Sequence, residues 1–536
     1  MMIRYVLFST MLFGILAAGT NVSHRSVLLK SNAVFEQRLS SQSNNEFYLT
    51  NYGVYGHNIS NGSAGWYWPR SSGKAYIYAQ SIWFGAKKKL VNDTLKIVSV
   101  GYNPNSGSSW FVPGSVVDGG RVLSEADPKA SKYYLYVGSD FSKEGKNIKT
   151  PTLPDWPIRW KQSEKVPGKN GYYGDYVSDP AERASYPAVF ISHEDMFCIY
   201  KDSDTLRNTE YKPNTGYPLG LDILQTIYSW SSGPQKDFVF LSYTIINRSD
   251  DTLRECFLAP SGDPDIGNST NDHNAFYNTD PALNLGFQFT ENEAGYTGVI
   301  GFDFLESPII KNSADSILFF QHTGRMKNIG EQIGLTTFRN WVIQNDPTNG
   351  PSRYDFMAAG VRDHDLGPGD KRMLMATGPF TMYPQDTSHV VLCILLAPGK
   401  GNPIDGDIET NGYLDSLVSL DTYAQSIYDN GFIVTSVGST LLNPLQYLLR
   451  QNFPNPFNPS TEIKYFIGGR SNLTLKIYNV LGQVVATLAD GTFDAGEYTA
   501  VWDGKNDVGM PVGSGVYFYR LETETFKESR KMLLLR

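Results

Sequence analysis

Apolar residues in this chain recur mostly at every second position or in short unbroken runs, separated by clusters of Gly, Pro, Asn and Asp. That is the pattern of antiparallel β structure. Between residues 51 and 120 the runs AYIYAQSIWFGAKKK and LKIVSVGY read as strands, and the preceding cluster VLLKSNAVFEQRL as one or two helical turns. Seven prolines between Pro128 and Pro187 interrupt every run there, predicting long loops packed on a neighbouring sheet. Strand signals return at AVFISHEDMFCIYKD and dominate residues 221–304, where LDILQTIYSW, DFVFLSYTIINRS, DTLRECFLAPSGD, LNLGFQFT and TGVIGFDFL follow one another. RMLMATGPFTM and SHVVLCILLAPG, with a turn at 383–386, read as a hairpin. One helix is predicted near 412–430, because Leu414, Leu417, Val418, Leu420, Tyr423, Ile427 and Tyr428 recur at threes and fours up to Gly431.

The pattern predicts a mainly β protein: an antiparallel β-sandwich body with long loops, then a smaller β-sandwich. The expected divisions are an N-terminal β/irregular region (20–220), a central sandwich with its terminal helix (221–431), a linker (432–450) and a separate unit (451–536). In that last unit TEIKYFI and LTLKIYNV alternate apolar and polar positions, as a sheet with one buried face requires. About seven short strands are expected, with turns at Leu481–Gly482 and across 503–509.

Composition agrees, and adds a compartment. The chain has 50 Gly, 29 Pro and 33 Tyr, while charged residues make up 19%, below the ~25% of a typical soluble domain. Arg4 precedes an apolar stretch at 5–18, and Ala17 and Gly19 fit a small-residue cleavage site, the order of a secretory signal peptide over 1–19. The stretch is short for a membrane span, which needs ~20 apolar residues. A net charge of -8 and the lack of basic runs interleaved with aromatics argue against nucleic acid as a partner. Cys198, Cys256 and Cys393 each sit in an apolar run and read as buried core residues, with one disulfide left open.

The last ~90 residues also carry PNPFNPST, YNVLGQVVATL, WDGKNDVGMPVGSGVYFYRLE and a terminal KMLLLR. Together these resemble the type A C-terminal sorting domain of type IX secretion cargo, and are similar to the Ig-like domain of flagellar hook-capping proteins. The resemblance implies a small Ig-like β-sandwich recognised by an outer-membrane translocon and often exchanged for a lipopolysaccharide anchor. By matching motif, Pro454, Asn455, Pro456 and Phe457 open the unit, Gly515 and Tyr517 lie in its penultimate strand, and Lys531 begins its last. The body resembles an uncharacterised group of secreted bacterial proteins through PLGLDILQTIYSW, DFVFLSYTIINRSDDTL, DPDIGNSTNDHN and SLDTYAQSIYDNGF. The implied setting is the cell exterior or outer surface.

The strongest site candidate in the body is the oxygen-rich stretch 261–272, with Asp263, Asp265, Asn268 and Asp272 as candidate calcium ligands. Calcium takes six to eight hard oxygen ligands, which such a loop can offer. A turn in which Asp and Asn bond their own backbone is the competing reading. Asp503, Asn506 and Asp507 form a weaker version. HEDMF at 193–197 lacks the second histidine of a zinc-protease helix, and Asp363, His364 and Asp365 read as a polar loop. Trp66, Tyr67, Trp68, Tyr76, Tyr78, Trp83 and Phe84 would stack on sugars if exposed, and are core packing if buried. No catalytic motif is recognisable. The reading is a non-enzymatic structural, adhesive or polymer-binding module, with polysaccharide or surface polymer as ligand; the alternative is a secreted hydrolase with carboxylates brought together by the fold.

Overall fold

Residues 34–89, 93–103, 108–138, 156–159, 175–183, 185, 190–208, 210–211, 216–291, 295–429, 447–449, 451–452, 454–467, 471–493, 496–523 and 527–535 are described by a computed structural model. The predicted signal peptide and most of the predicted linker lie outside them.

The runs read as strands are strands, and the described residues are 45% strand and 14% helix. In chain order the body's main strands are β1 (Ala79–Lys89), β2 (Thr94–Val100), β3 (Glu194–Lys201), β4 (Leu221–Ser229), β5 (Phe238–Asn247) and β6 (Leu253–Asp263). Next come β7 (Asp272–Phe276), β8 (Gly286–Thr290), β9 (Gly298–Glu306), β10 (Thr337–Val342), β11 (Lys371–Met382) and β12 (Thr387–Pro398). The helices longer than a single turn among the described residues are α1 (Ser313–Thr323), α2 (Gly350–Met357) and α3 (Asp415–Asp429).

Two antiparallel sheets result. One has the order β10-β11-β6-β1-β2, and the other runs β3-β4-β5-β12-β9-β8-β7. Alternation decides what each face meets. Ile82, Phe84, Leu258, Met373 and Met375 of the first sheet share one core with Ile223, Leu241, Tyr243, Ile300 and Leu392 of the second. On the first sheet's other face, Trp83, Phe257 and Leu374 pack under Tyr354 and Met357 of α2. On the second sheet's other face, Phe240, Phe287 and Leu395 pack under Leu417, Val418 and Ala424 of α3. Burial on both faces explains why strands such as β11 and β12 read as continuous apolar runs.

The expected hairpin at 371–398 is a corner. β11 pairs with β6 and β10, whereas β12 pairs with β5 and β9 in the opposite sheet. The β5–β6 connection crosses beside it, so a single two-stranded ribbon bends from one sheet into the other. Asn247, fully buried, fastens the bend: its Nδ2 donates to the carbonyls of Asp251 (2.8 Å), Met382 (3.2 Å) and Tyr383 (3.1 Å). Beyond the corner the β6–β11 register shifts between Leu253 and Leu258. Gly378 (φ +148°) sits opposite, where a Cβ would lie 2.5 Å from the Cys256 carbonyl oxygen. Only glycine fits there.

Four further expectations are corrected or sharpened. Gln37–Leu39, placed in a helical turn, is a strand paired with Glu46–Thr50. Besides α3 and a single turn at Pro180–Arg183, the described residues hold α1, whose consecutive Ile317, Leu318, Phe319 and Phe320 hide any helical period, and α2, which opens with a capping box between Asn349 and Ser352. The aromatic cluster is mostly core, with Trp66, Trp68, Tyr76, Trp83 and Phe84 buried. All three cysteines are buried and unpaired.

The C-terminal unit contains β13 (Tyr447–Leu449), β14 (Thr461–Ile467), β15 (Ser471–Tyr478), β16 (Val484–Phe493), β17 (Gly496–Trp502), β18 (Gly515–Thr523) and β19 (Lys527–Leu534). β13 lies at the end of the predicted linker, so the strands of this unit begin before residue 451. Two small sheets, β13-β14-β17 and β16-β15-β18-β19, enclose Phe457, Ile463, Leu475, Trp502, Tyr519 and Met532.

Candidate metal centre

Asp263 is the last residue of β6, and register explains its partner. Gly262 faces Met373 across the β6–β11 ladder, so the next pair outward is Asp263 and Arg372. Arg372 Nη1 donates to Asp263 and also to Asp370, at 2.7 Å, just before β11. Pro264 turns the chain and Asp265 comes back against both. Ligand oxygens of Asp263, Asp265 and Asp370 lie within 4.8 Å of one another. Two predicted ligands, Asp263 and Asp265, are therefore together, and the third carboxylate, Asp370, was not foreseen.

The other two predicted ligands are engaged locally. Asn268 is exposed, and its side-chain oxygen accepts from the Thr270 N–H (3.2 Å) and hydroxyl (3.0 Å) as the cap of a short 3₁₀ turn. Asp272 is buried and accepts from the Ile266 N–H at 3.3 Å. That part of the loop is the backbone-bonded turn of the competing reading.

Electrostatics at the cluster are unbalanced. Three carboxylates face one guanidinium. Burial, then the neighbouring charge of Asp265, lifts the Asp263 carboxyl well above its ordinary range despite Arg372. Asp265, half-buried, is pushed up to about 6, chiefly by burial. Burial opposes the charge on Arg372, but Asp263 and Asp370 outweigh it. Oxygen-only donors with a residual negative charge match a hard cation in chemical type. Arg372 is the counter-charge that the fold itself supplies.

The remaining candidates separate. Glu194 accepts from the Ser41 N–H (2.8 Å) and hydroxyl (2.6 Å). Asp195, raised to about 7 by burial, caps the turn at Ile191 and Ser192. Asp363 bonds Arg339, while Asp365 bonds His273, so the DHD stretch shares no common centre. His273 stacks on Phe289 at 4.8 Å, with Asp365 2.6 Å from Nδ1 and Glu291 2.8 Å from Nε2. Against the cost of burial, those two carboxylates hold its pKa above the ordinary histidine value. With both ring nitrogens occupied, it is a clamp on the loop rather than a poised base.

A second acid pair was missed by sequence reasoning. Asp303 in β9 and Asp421 in α3 are both buried and each feels the other's carboxyl. Burial lifts Asp303 to about 8, and burial with the Asp303 charge lifts Asp421 well above its ordinary value. Its signal was a carboxylate on an apolar face of each element: Asp303 between Gly301 and Leu305, and Asp421 between Leu417 and Ala424.

In the C-terminal unit the motif residues converge. Phe457 donates its N–H to Leu533 (3.0 Å) and accepts from Leu535 (2.9 Å), and Asn455 Oδ1 accepts from the Leu533 N–H (2.9 Å). The Pro454 carbonyl accepts from Thr461 (2.8 Å) and Asn452 (3.1 Å), while Pro456 lies exposed between them. Trp502 sits between the rings of Phe457 (5.5 Å) and Tyr517 (5.1 Å). Gly515 opens β18, and Lys531 is exposed on β19 with its carbonyl accepting from Gln451 at 2.9 Å. The opening and closing segments of the unit are thus bonded to each other. The Asp503–Asp507 stretch is a turn: Asp503 pairs with Lys505 at 2.6 Å, and Asp507 accepts from the Thr487 N–H at 2.7 Å.

Comparison with known proteins bears on this unit. Residues 465–526 match the family described as the FlgD Ig-like domain. No curated protein sequence matches the chain. Among solved structures, a polysaccharide lyase aligns with 61% of this chain and 36% of its own, at 9% identity and a TM-score of 0.20. Dimeric latent PorU from Porphyromonas gingivalis aligns with 64% of this chain and 32% of its own, at 12% identity and a TM-score of 0.17. The chain thus spans about a third of either protein. Its C-terminal unit is similar to the FlgD Ig-like domain over residues 465–526.

Proposed function

We propose that this chain is a secreted or cell-surface bacterial protein exported through the type IX pathway, its C-terminal unit being the sorting and anchoring module and its body a non-enzymatic structural, adhesive or polymer-binding platform. One observation carries the reading: the FlgD-like core at 465–526 is flanked by PNPF and the terminal strand, and these two flanks are fastened to each other through Asn455, Phe457, Leu533 and Leu535. A translocon reading this unit would meet the first motif and the last strand as a single composite edge. On this reading the outer-membrane translocon is the first partner, and a lipopolysaccharide anchor the eventual one.

The body supports a platform. Both faces of its two sheets are covered, and the crevice between them at Tyr55, Phe302, Met375 and Leu392 is apolar with no room for a water molecule. Glu194, Asp195 and Asp202 are committed to backbone or hydroxyl donors, and Asp222 to those and to Arg248. A hydrolase is favoured by the approach of half-buried Asp265 to buried Asp263, two neighbouring carboxyls with raised pKa values. Screening against polysaccharide and peptide panels separates the two, since Asp265→Asn should abolish turnover if that pair is catalytic.

The delivery claim is tested by treating intact cells of the source organism with protease and fractionating them. The reading expects the chain outside, sensitive to protease and lacking residues 1–19. Full-length chain in the cytoplasm with those residues intact contradicts it.

A further inference from the structure

At one end of the C-terminal sandwich two turns hold apolar side chains out into solvent. Asn479 ties the first, its Oδ1 accepting from the N–H groups of Leu481 and Gln483 at 3.0 Å, while Gly482 (φ +78°) supplies the left-handed residue. Asn506 ties the second in the same way, accepting from Val508 (3.2 Å) and Met510 (2.9 Å). The Asp507 N–H donates to the Val485 carbonyl at 3.1 Å, so the second turn lies along the start of β16, beside the first. Val480, Leu481, Val508 and Met510 are 59–79% exposed in the whole chain. Their backbones are tied, so these side chains cannot retreat by refolding the turns.

Behind these tips the outer face of the β16-β15-β18-β19 sheet is graded. Val516 and Leu533 come first, then a row in which Tyr478 lies between Val484 and Phe518. Lys531 faces Phe518, and one step further Lys476 faces Arg520, whose guanidinium lies 4.9 Å over the Tyr478 ring. Each two-residue step is about 7 Å along the strand. Of the nearby carboxylates, Asp503 pairs with Lys505 and Glu522 with Lys527, while Asp507 accepts from the Thr487 N–H. Apolar tips, an aromatic ring and a basic collar, in that order, match the acyl layer, the interface and the anionic headgroups of a bilayer.

We infer that this end of the C-terminal unit docks on the surface of an anionic lipid bilayer, inserting Val480, Leu481, Val508 and Met510 with Tyr478 and Phe518 at headgroup level and Lys476, Arg520 and Lys531 facing the phosphates. The inference is independent of the export route. No helix among the described residues is long and apolar enough to cross a membrane, so attachment through this end is peripheral.

Sedimentation of the purified full chain with vesicles tests it. The wild type should pellet with mixed phosphatidylcholine–phosphatidylglycerol vesicles, less with phosphatidylcholine alone, and less at high salt. The Leu481→Asp/Met510→Asp variant should lose binding by ~100-fold or more, since two inserted apolar side chains each contribute more than about a factor of ten. Its unfolding temperature should match the wild type, because both positions are exposed. Lys476→Glu/Lys531→Glu should remove the preference for anionic vesicles. Wild-type chain that stays in the supernatant with both vesicle types overturns the inference, as does a Leu481→Asp/Met510→Asp variant that still pellets. Concentration-dependent self-association abolished by that variant, without vesicle binding, reassigns the patch to contact between copies of the chain.

Discussion

Arg372 carries more of the body's charge balance than any neighbour: it stands between Asp263 and Asp370, buried, at the end of two paired strands. Removing it leaves carboxylates buried without their counter-charge, so Arg372→Met should destabilise the protein by about 3–5 kcal/mol in urea unfolding. The pH dependence follows from the raised carboxyl pKa values. A carboxyl held higher in the folded than in the unfolded protein stabilises most below the unfolded value of about 4, and that contribution fades as pH rises through about 6, where Asp265 ionises. Calcium added at neutral pH should recover the loss, and Asp265→Asn should abolish both loss and recovery, read as unfolding temperature. Cysteine chemistry gives a simpler outcome. Burial holds all three thiols well above their ordinary range, so a thiol reagent should leave the native protein unlabelled and modify three sites after denaturation. Asp263 and Asp265 were legible in the sequence as oxygen-rich loop residues. Asp370 and Arg372 were not, because only the β6–β11 register brings them there.

At the level of elements, two fastenings decide how the layers assemble. Asn247 supplies the donor for three carbonyls at the corner between sheets, and Asn247→Leu would leave those acceptors buried and unmet. A cost of at least ~2 kcal/mol is expected, visible as a lower urea midpoint with unchanged slope. Asp303 and Asp421 bring two buried carboxyls together where α3 lies on β9. Both pKa values are raised by burial, so their contribution is complete below about pH 4 and is lost as pH climbs through about 8. The Asp303→Asn/Asp421→Asn variant keeps the shape and a donor–acceptor pair, so its stability should fall less than the wild type's between those limits. Strand and helix identities were legible here because each element buries a face of the right period. The corner was not: a turn of four residues after a long apolar strand looks the same in sequence whether the next strand pairs back or crosses to the facing sheet. The helix α1 escaped because its four consecutive apolar residues carry no period.

For the whole molecule, the body and the C-terminal unit have separate apolar cores, one built around two covered sheets and the other around Trp502 and Phe457. The C-terminal unit was the more legible of the two, because its prolines, glycines and aromatics sit where turns and a small core demand them. Clamping of PNPF onto the terminal strand was not legible, since it joins segments some eighty residues apart. The central claim is that this unit directs the chain outward. Deleting residues 451–536 in the source organism and fractionating the cells tests it most directly. The account predicts a body exported from the cytoplasm but retained in the periplasm, absent from the cell surface and the medium. Normal surface display of the truncated chain would contradict it.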